Sequence, residues 1–482
     1  MHDYDKLYIG GQWCAPRGQD VIEVSSPFDL KPVGRVPEAV RDDVDAAVAV
    51  ARGAFETGSW SRLPASERIA VLERLLDLLT PRTDELADLQ TSEMGAPTTF
   101  SRAVYGPGPA GVLASTIAIA KSTDWEEIRP GTTGLDIIVR REPVGVVAAI
   151  IPWNSPLFTL VGKVAPALAA GCSVIIKPSP ETPLDANVFA ELATEAGVPA
   201  GVISVIPGGR DIGAYLVNHP GVDKVSFTGS TAAGREIASN CGRNLKRFSL
   251  ELGGKSAAIL LDDVDIDIVT AGLKFASLAN SGQACIAQTR ILAPRSRYDD
   301  IVEALGAMMA GLAVGDPFDP STDVGPMVAK HQQDKVNSYI ELGLAEGAQL
   351  VTGGLDPFPD LPTGWFVRPT LFSGVNNSMR IAREEIFGPV LVAIPYDSEE
   401  DAIRIANDSE YGLAGSVWTS DRERGIEVGR HVRTGTFGVN QYLLDFNAPF
   451  GGFKASGVGR EMGAEGLSEY IEYKSITPPP AG

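Results

Sequence analysis

A cysteine with small neighbours is the first candidate for chemistry in this sequence of 482 residues. Cys285 lies in the stretch NSGQACIAQTR, where Gly282 and Ala284 leave space beside the thiol. A thiolate is a good nucleophile once its pKa is lowered, although most lone cysteines are simply small buried apolar residues. We therefore predict that Cys285 is a nucleophile.

Two further polar residues follow apolar runs that resemble strands. Asn154, in IPWNSP, could donate its side-chain amide to a developing oxyanion; taken alone, capping of the next helix is the more common role. Glu251, in SLELGGKS, is either a salt-bridge partner or a base with a raised pKa. The letters GGKS imitate the end of a phosphate-binding loop, but Ser249 occupies the position where that motif needs its first glycine.

Two strand ends offer sites for a dinucleotide. The stretch SFTGSTAAGR passes from a strand into a helix through Gly229 and Ser230, and amides at a helix N-terminus attract phosphate. In IIKPSPETP, Lys177 ends another strand of the same predicted sheet, within reach of a ribose.

The stretch YGPGPAG contains the spacing G-x-G-x-x-G at Gly106, Gly108 and Gly111. That fingerprint has meaning only between a buried strand and a helix. The preceding residues APTTFSRAV do not form an apolar strand, and Pro107 removes an amide from the supposed cradle. We predict a loop between two helices here.

These residues need a parallel sheet to hold them. Short β-branched runs (VGVVAAII, CSVIIKP, GVISVIP and DKVSFTG) alternate with segments of helical character, which is the signature of parallel strands with crossover helices. A second strand–helix region begins at KSAAILL and extends to about residue 455. Before residue 120 the chain is predicted to be mostly helical after a short initial strand.

Two marginal segments, residues 133–144 and 467–478, have the character of isolated strands. Exposed strands of this kind often pair with another subunit. An ordinary hairpin within the chain is an equally good prediction.

Composition excludes several classes of protein. The 41 basic and 61 acidic residues give a net charge of −20, which disfavours nucleic acid and anionic membranes as partners. No signal peptide or long apolar span is evident. The other cysteines, Cys14, Cys172 and Cys241, are scattered and predicted to be structural, which suits a reducing compartment, the cytoplasm. The four histidines lie far apart, so no metal site is expected.

Taken together, PWN, ELGGKS, GQAC, EEIFGPV and PFGGFKASGVGRE occur in the order and at about the spacing of the aldehyde dehydrogenase superfamily, which the chain resembles over essentially its whole length. The resemblance implies an α/β fold with a Rossmann-like parallel-sheet cofactor domain, a second α/β catalytic domain and a small β oligomerisation flap. The implied ranges are 1–124 and 142–252 for the cofactor domain, 253–455 for the catalytic domain, and 125–141 and 466–482 for the flap. A homodimer or homotetramer is implied.

The resemblance also assigns catalytic roles. Cys285 resembles the nucleophile that forms a thiohemiacetal and then a thioester, with the oxyanion held by Asn154 and the Cys285 N–H. Glu251 resembles the base that activates water for hydrolysis. Lys163 and Glu461 match the positions of a proton relay to Glu251.

For the cofactor, the matching positions include ligands of both riboses and of the pyrophosphate. They are Trp153, Lys177, Ser179, Gly209, Gly229, Ser230, Glu385 and Phe387. Many NAD-preferring relatives carry a glutamate three residues after the lysine, where this chain has Pro180 followed by Glu181. We predict NAD because no further cation stands beside Lys177, and NADP remains an alternative.

The family's substrate tunnel aligns with apolar or small residues: Ser155, Phe158, Gly162, Ala284, Ile286, Leu444 and Phe450. The stretch YGPGPAG is placed near its mouth. Because no cation faces this tunnel, we predict a medium-sized hydrophobic aldehyde, whether aliphatic, aromatic or terpenoid. The alternative is a semialdehyde dehydrogenase of a catabolic pathway.

Other classes of protein are weaker interpretations. A flavoprotein could use GPGPAG as its fingerprint, and the purified protein would then be yellow. A non-enzymatic scaffold would be expected to have lost Cys285, Glu251 or Asn154, and all three are present. A thiol hydrolase would need a histidine, and none lies near Cys285 in the sequence.

Overall fold

Two large β-sheets, each with helices packed on it, make up most of the chain in the computed structural model. The structure describes residues 2–132, 134–361 and 363–479. Residues 1, 133, 362 and 480–482 of the predicted ranges lie outside this part.

The strands, in chain order, are β1 His2–Asp3, β2 Leu7–Ile9, β3 Gln12–Cys14, β4 Val21–Ser25, β5 Pro32–Pro37, β6 Glu126–Pro130, β7 Asp136–Pro143, β8 Val146–Ile150, β9 Ser173–Lys177, β10 Ile203–Val205, β11 Lys224–Thr228, β12 Arg247–Glu251, β13 Ala257–Leu260, β14 Arg290–Pro294, β15 Gln349–Thr352, β16 Thr370–Ser373, β17 Val390–Tyr396, β18 Gly415–Trp418, β19 Gly438–Val439, β20 Gly457–Val458 and β21 Ile471–Ile476.

The α-helices are α1 Arg41–Thr57, α2 Ala65–Leu79, α3 Thr83–Met94, α4 Thr98–Phe100, α5 Pro107–Ser122, α6 Pro156–Ala170, α7 Leu184–Glu195, α8 Arg210–Asn218, α9 Thr231–Arg243, α10 Ile266–Leu278, α11 Tyr298–Ala310, α12 Lys330–Ala345, α13 Arg380–Arg383, α14 Glu399–Asn407, α15 Arg422–His431 and α16 Gly463–Ser468.

The first large sheet has the strand order β20-β12-β11-β8-β9-β10-β2-β3. The strands from β12 to β10 run parallel to one another. Every residue of β8 and β9 is buried, as expected for β-branched strands covered by helices on both faces. The predicted parallel α/β sheet is therefore confirmed.

The second large sheet has the order β15-β16-β17-β14-β13-β18-β19 and is parallel except for β15 at its edge. The strand β13 follows β12 of the first sheet after a short connection, so the chain passes directly from one sheet to the other. The boundaries of the domains stay a prediction; β20, late in the chain, returns to the first sheet.

The two marginal segments pair within the chain. Strand β7 lies between β6 and β21 in a small antiparallel sheet. This is the pairing that the hairpin interpretation predicted, extended by the C-terminal strand. Both outer strands of this small sheet keep a free edge among the described residues.

The N-terminal region differs from the prediction. Five short strands, β1 to β5, precede the first helix, and three of them form a separate sheet of order β1-β5-β4. Their two to six residues are too short to show a clear alternation in the sequence. The predicted helical character of the region before residue 120 is confirmed for α1 to α5, and α2 buries Ile69, Leu72, Leu75 and Leu79.

The prediction of a loop at YGPGPAG was wrong. The stretch crosses from a π-helical turn, Ser101–Tyr105, into the first turns of α5. Pro107 is the first residue of that helix, where a missing N–H costs nothing. A Cβ atom at Gly106 would lie 2.7 Å from a backbone oxygen of α3, and at Gly108 it would lie 2.8 Å from the Phe158 ring. These glycines therefore serve close packing and not a phosphate.

The apolar run that contains this stretch, Thr98–Ser122, is long and apolar enough to cross a membrane by length and composition alone. Half of its most apolar 18-residue window is buried in the molecule, where α5 packs against α2 and α6. Core helices of globular proteins pass the same test, so the run is weak evidence for a membrane span.

Candidate active site

The candidate site lies where the first sheet reverses its strand order. From β8 the chain continues outward to β9 and β10, then returns to place β11 on the other side of β8. Ligands of open α/β sheets bind at the carboxyl ends of the strands beside such a switch point. Asn154 follows β8, Lys177 ends β9 and Gly229 follows β11, so three segments of the chain converge at one crevice.

A cavity of about 650 Å³ opens at this crevice and extends to the second sheet. It brings together nearly all of the predicted site residues, namely Trp153, Asn154, Ser155, Phe158, Lys177, Ser179, Gly229, Ser230, Glu251, Ala284, Cys285, Ile286, Glu385, Phe387, Leu444, Phe450 and Glu461.

Three predicted residues do not line this cavity. Gly162, which was predicted to line the tunnel, borders a separate small void instead. Met462 lines both this void and the cavity, so it lies between them. Gly209 precedes α8, and its N–H donates to Glu38 Oε1 at 3.2 Å. Lys163 is fully buried behind the cavity.

The cysteine is held by an unusual turn. Cys285 follows a 3₁₀ turn, Ala279–Gly282, in which Asn280 and Ser281 have φ angles of 49° and 59°. Such left-handed backbone is costly for these residues and is often retained at functional sites. Cys285 is half-buried. Burial raises the pKa of its thiol, and the carboxylates of Glu385 and Glu251 raise it further.

Asn154 is fixed to the loop that carries the cysteine. Its Nδ2 donates to the carbonyl of Gln283 at 3.0 Å. The backbone carbonyl of Asn154 accepts from Tyr105 Oη at 2.7 Å and from Asn280 Nδ2 at 3.1 Å. The side chain makes no capping bond to α6, because the N-cap position is Ser155. The amide is thus oriented before any ligand arrives.

Glu251 ends β12 and is buried in the cavity wall. Its Oε2 has no hydrogen-bond partner among the described residues. Burial raises the pKa of this carboxyl well above its usual value, and the nearby Glu461 carboxylate raises it further. Lys163 pairs with Glu461 and favours the charged form of Glu251. A carboxyl in this state can accept a proton near neutral pH.

One end of the cavity is polar and is lined by Lys177, Ser230 and Glu385. Because the resemblance assigns these residues to a dinucleotide, we call it the dinucleotide end. Ser230 caps α9, accepting from the Ala233 N–H at 3.3 Å. Burial lowers the pKa of Lys177 to about 8. Glu385 accepts from the Gly254 N–H at 2.8 Å. These groups suit a phosphate and two riboses.

An aromatic pair, Trp153 and Phe387, lines the same cavity as the cysteine. The Phe387 ring meets Trp153 edge to face, with centroids 5.3 Å apart. Phe387 has a φ of 66°, and its carbonyl accepts from Gln332 Nε2 at 2.7 Å. No local motif in the sequence identifies Gln332, which comes from α12 of the second sheet.

The opposite end of the cavity is apolar. Residues that the sequence analysis missed form its mouth: Phe100, Val104, Phe275, Leu443 and Phe446. Phe275 and Leu443 are 41% and 69% exposed, so they stand at the rim. They come from separate elements, and only the resemblance to a family could have suggested them.

A two-sheet α/β protein with a thiol, an oriented amide and a buried carboxyl around one crevice has the architecture of an enzyme. The chain belongs to the aldehyde dehydrogenase family, because the sequence profile described as "Aldehyde dehydrogenase family" matches its residues 13–476. The reaction that it catalyses is the oxidation of an aldehyde.

Individual relatives agree with this assignment. The chain is 48% identical over 474 residues to geranial dehydrogenase of Castellaniella defragrans, covering 98% of each chain. It is 43% identical over 478 residues to 3-succinoylsemialdehyde-pyridine dehydrogenase of a Pseudomonas species, covering 99% of each. A crystal structure of Mycobacterium tuberculosis aldehyde dehydrogenase complexed with NAD+ has a TM-score of 0.97 and 50% identity, covering 99% of this chain and 98% of that one.

Proposed function

We propose that this enzyme oxidises neutral, hydrophobic aldehydes of medium size to carboxylic acids, with NAD as the electron acceptor. The observation that carries the substrate class is the distribution of charge in the cavity. Its only cationic lining residues among those described are Lys177 and Lys335. Burial lowers the pKa of Lys335, and the nearby carboxylate of Glu385 partly offsets that effect. Both belong to the dinucleotide end.

The residues present fit a dinucleotide. Lys177 and Glu385 would hold the riboses, and the first turn of α9 after Gly229 would face the pyrophosphate. The helix N-terminus and the buried ammonium suit its negative charge. When bound, the cofactor supplies the hydride acceptor for the reaction. The structure of the mycobacterial relative with NAD+ supports this choice.

The chain's own residues account for the covalent steps. The Cys285 thiolate attacks the aldehyde carbon, and the resulting oxyanion lies between the Asn154 amide and the Cys285 N–H. Loss of hydride leaves a thioester on Cys285. Glu251 then removes a proton from water, which hydrolyses the thioester and releases the acid. Lys163 and Glu461 carry that proton away from Glu251.

A panel of aldehydes of equal length tests the substrate class. Neutral aliphatic, aromatic and terpenoid aldehydes are expected to have a kcat/KM at least about tenfold higher than ω-carboxylate semialdehydes, because a buried unpaired carboxylate is costly in an apolar tunnel. Initial rates of NADH formation measure this ratio. A preference for the semialdehydes would reject the proposal.

The semialdehyde alternative has one supporting observation, the similarity to 3-succinoylsemialdehyde-pyridine dehydrogenase. The apolar mouth and the similarity to geranial dehydrogenase favour neutral substrates. The same panel separates the two alternatives.

We further propose a homodimer or homotetramer in the cytoplasm. The free edges of β6 and β21 carry exposed apolar side chains, Ile128 and Tyr473, that a second copy could cover. Light scattering is expected to give a mass of two or four chains; a monomer would contradict the assembly. Four free cysteines suit a reducing compartment, which cell fractionation tests.

A further inference from the structure

A strip of buried polar side chains runs along one face of the first sheet, starting at Glu251. Ser249 lies on the same face of β12, because alternate residues of a strand point to the same side. The register pairs Ser249 with Ser226 of β11, and Lys224, the first residue of β11, shares the face of Ser226. All four side chains are buried, whereas the neighbouring strand β8 has only apolar residues. The strip therefore leads from the cavity, at the carboxyl ends of the strands, toward their opposite ends.

The hydroxyl groups of the strip are hydrogen-bonded to one another. Ser249 Oγ donates to Ser226 Oγ at 3.3 Å, and Tyr470 Oη donates to the same oxygen at 3.1 Å. Tyr470 precedes β21 and is buried. Because a hydroxyl both donates and accepts hydrogen bonds, it can accept one proton and release another without a lasting change of charge.

The charged pair Lys163–Glu461 lies close to the inner part of the strip. Burial raises the pKa of Tyr470 well above its usual value, and the Glu461 carboxylate raises it further. The Lys163 ammonium lowers the pKa of both Glu251 and Lys224. The pair that is proposed to receive the proton from Glu251 is therefore near enough to the strip to pass that proton on.

The outer end of the strip reaches solvent at Glu469. Lys224 Nζ donates to Glu469 Oε2 at 3.2 Å and lies 5.2 Å from the centre of the Tyr470 ring. The Arg460 N–H donates to the other oxygen, Glu469 Oε1, at 3.3 Å. The Lys224 side chain is 1% exposed and the Glu469 side chain is 26% exposed. Glu469 is thus the group of the strip that can exchange a proton with water.

We propose that the proton that Glu251 takes from water leaves the site through Tyr470 and the Lys224–Glu469 pair and enters solvent at the end of the sheet opposite the cavity. This inference rests on the proposed hydrolysis of a thioester and adds the route by which its proton leaves. Glu251 faces the thioester on the cavity side, so an exit on the other side keeps proton release separate from the binding of substrate.

The steps conserve protons and electrons. One O–H bond of water breaks as its oxygen bonds to the thioester carbon, and the proton goes to the Glu251 carboxylate. The C–S bond then breaks with its electron pair on sulfur. The proton passes from Glu251 to Glu461, and each group of the strip accepts one proton as it releases another. Glu469 finally gives one proton to water in each turnover, and all the groups return to their starting state.

The decay of the acylated chain tests this route. The full chain is mixed rapidly with a sub-stoichiometric amount of a neutral aldehyde and excess NAD, quenched, and weighed by intact mass spectrometry. In weak buffer, Glu469→Gln and Tyr470→Phe are each expected to slow the decay roughly tenfold, because a carrier of the proton is missing. Raising the concentration of imidazole should restore the rate of Glu469→Gln, since a dissolved base can accept the proton at the surface. The burst of NADH should not change, because hydride leaves before the water reacts.

Glu465→Gln is the matched control. Glu465 is an exposed glutamate of α16, the helix that immediately precedes Glu469, and its substitution removes the same charge outside the strip. In this variant the acylated chain should decay at the rate of the unaltered enzyme at every concentration of imidazole.

The outcomes separate this route from the proposed function. Unchanged decay in both Glu469→Gln and Tyr470→Phe in weak buffer would overturn the route and leave Glu251 as the base. Slow decay of Glu469→Gln that imidazole does not restore would show a merely structural role and would also overturn it. If no acylated chain forms in the unaltered enzyme or in Glu251→Gln, the proposed function itself is rejected.

Discussion

Cys285→Ala is expected to retain less than about a thousandth of the aldehyde-oxidising activity, because no other group at the site can form the covalent intermediate. The thiol is half-buried in the cavity beside Asn154 and Glu251. Steady-state rates with a neutral aldehyde and NAD measure the loss. Binding of NAD, followed by calorimetry, should persist because the dinucleotide end is unchanged.

Cys14→Ala is the matched control. Cys14 is another free cysteine, located in β3 away from the cavity lining, and its removal should leave the rates unchanged. Turnover of Cys285→Ala within about tenfold of the unaltered enzyme would disprove the covalent mechanism.

Glu251→Gln is expected to slow hydrolysis of the thioester by roughly 10²- to 10⁴-fold, the range of a lost general base. Glutamine keeps the shape of the side chain and removes its ability to accept a proton. The first turnover should still produce NADH, so rapid mixing would show a burst followed by a slow steady state. Intact mass spectrometry should detect the acylated chain. A steady-state rate equal to that of the unaltered enzyme would contradict the role of Glu251.

The pH dependence has a definite sign. Glu251 acts as a base only when deprotonated, and burial and Glu461 raise its pKa well above the usual value. The pKa of the Cys285 thiol is also raised. Activity should therefore increase as pH rises through neutrality. The residual hydrolysis in Glu251→Gln should increase less over the same pH range, because the deprotonation of Glu251 no longer contributes. Identical pH profiles for the two enzymes would contradict the assignment.

The parts of the site that lie at strand ends could be predicted from the sequence. Asn154, Lys177 and Gly229 each follow or end an apolar β-branched run, and parallel strands bring such ends to one edge. At these positions the strand pattern in the sequence is enough to place the residues at one edge of the sheet, so their convergence could be predicted.

The remainder depends on contacts between distant segments. Gln332 supports Phe387 from α12, 55 residues earlier in the chain, and Tyr105 supports Asn154 from a helical turn 49 residues earlier. Neither residue has a local signature. Gly162 aligns with a tunnel position of the family, but it borders a small void that shares Met462, much later in the chain, with the cavity. An alignment identifies a position without showing which side chain covers it.

The π-helical turn Ser101–Tyr105 connects the support of Asn154 to the aromatic rim of the cavity. It places Tyr105, which holds the Asn154 carbonyl, edge to face with Phe100, whose ring also approaches Phe275 at the rim. A π turn is in effect one extra residue in an α-helix, and each residue corresponds to about 100° of rotation. Gain or loss of a single residue there would turn Phe100 relative to Asn154. Helical register at this turn thus couples the position of the aromatic rim to the position of Asn154.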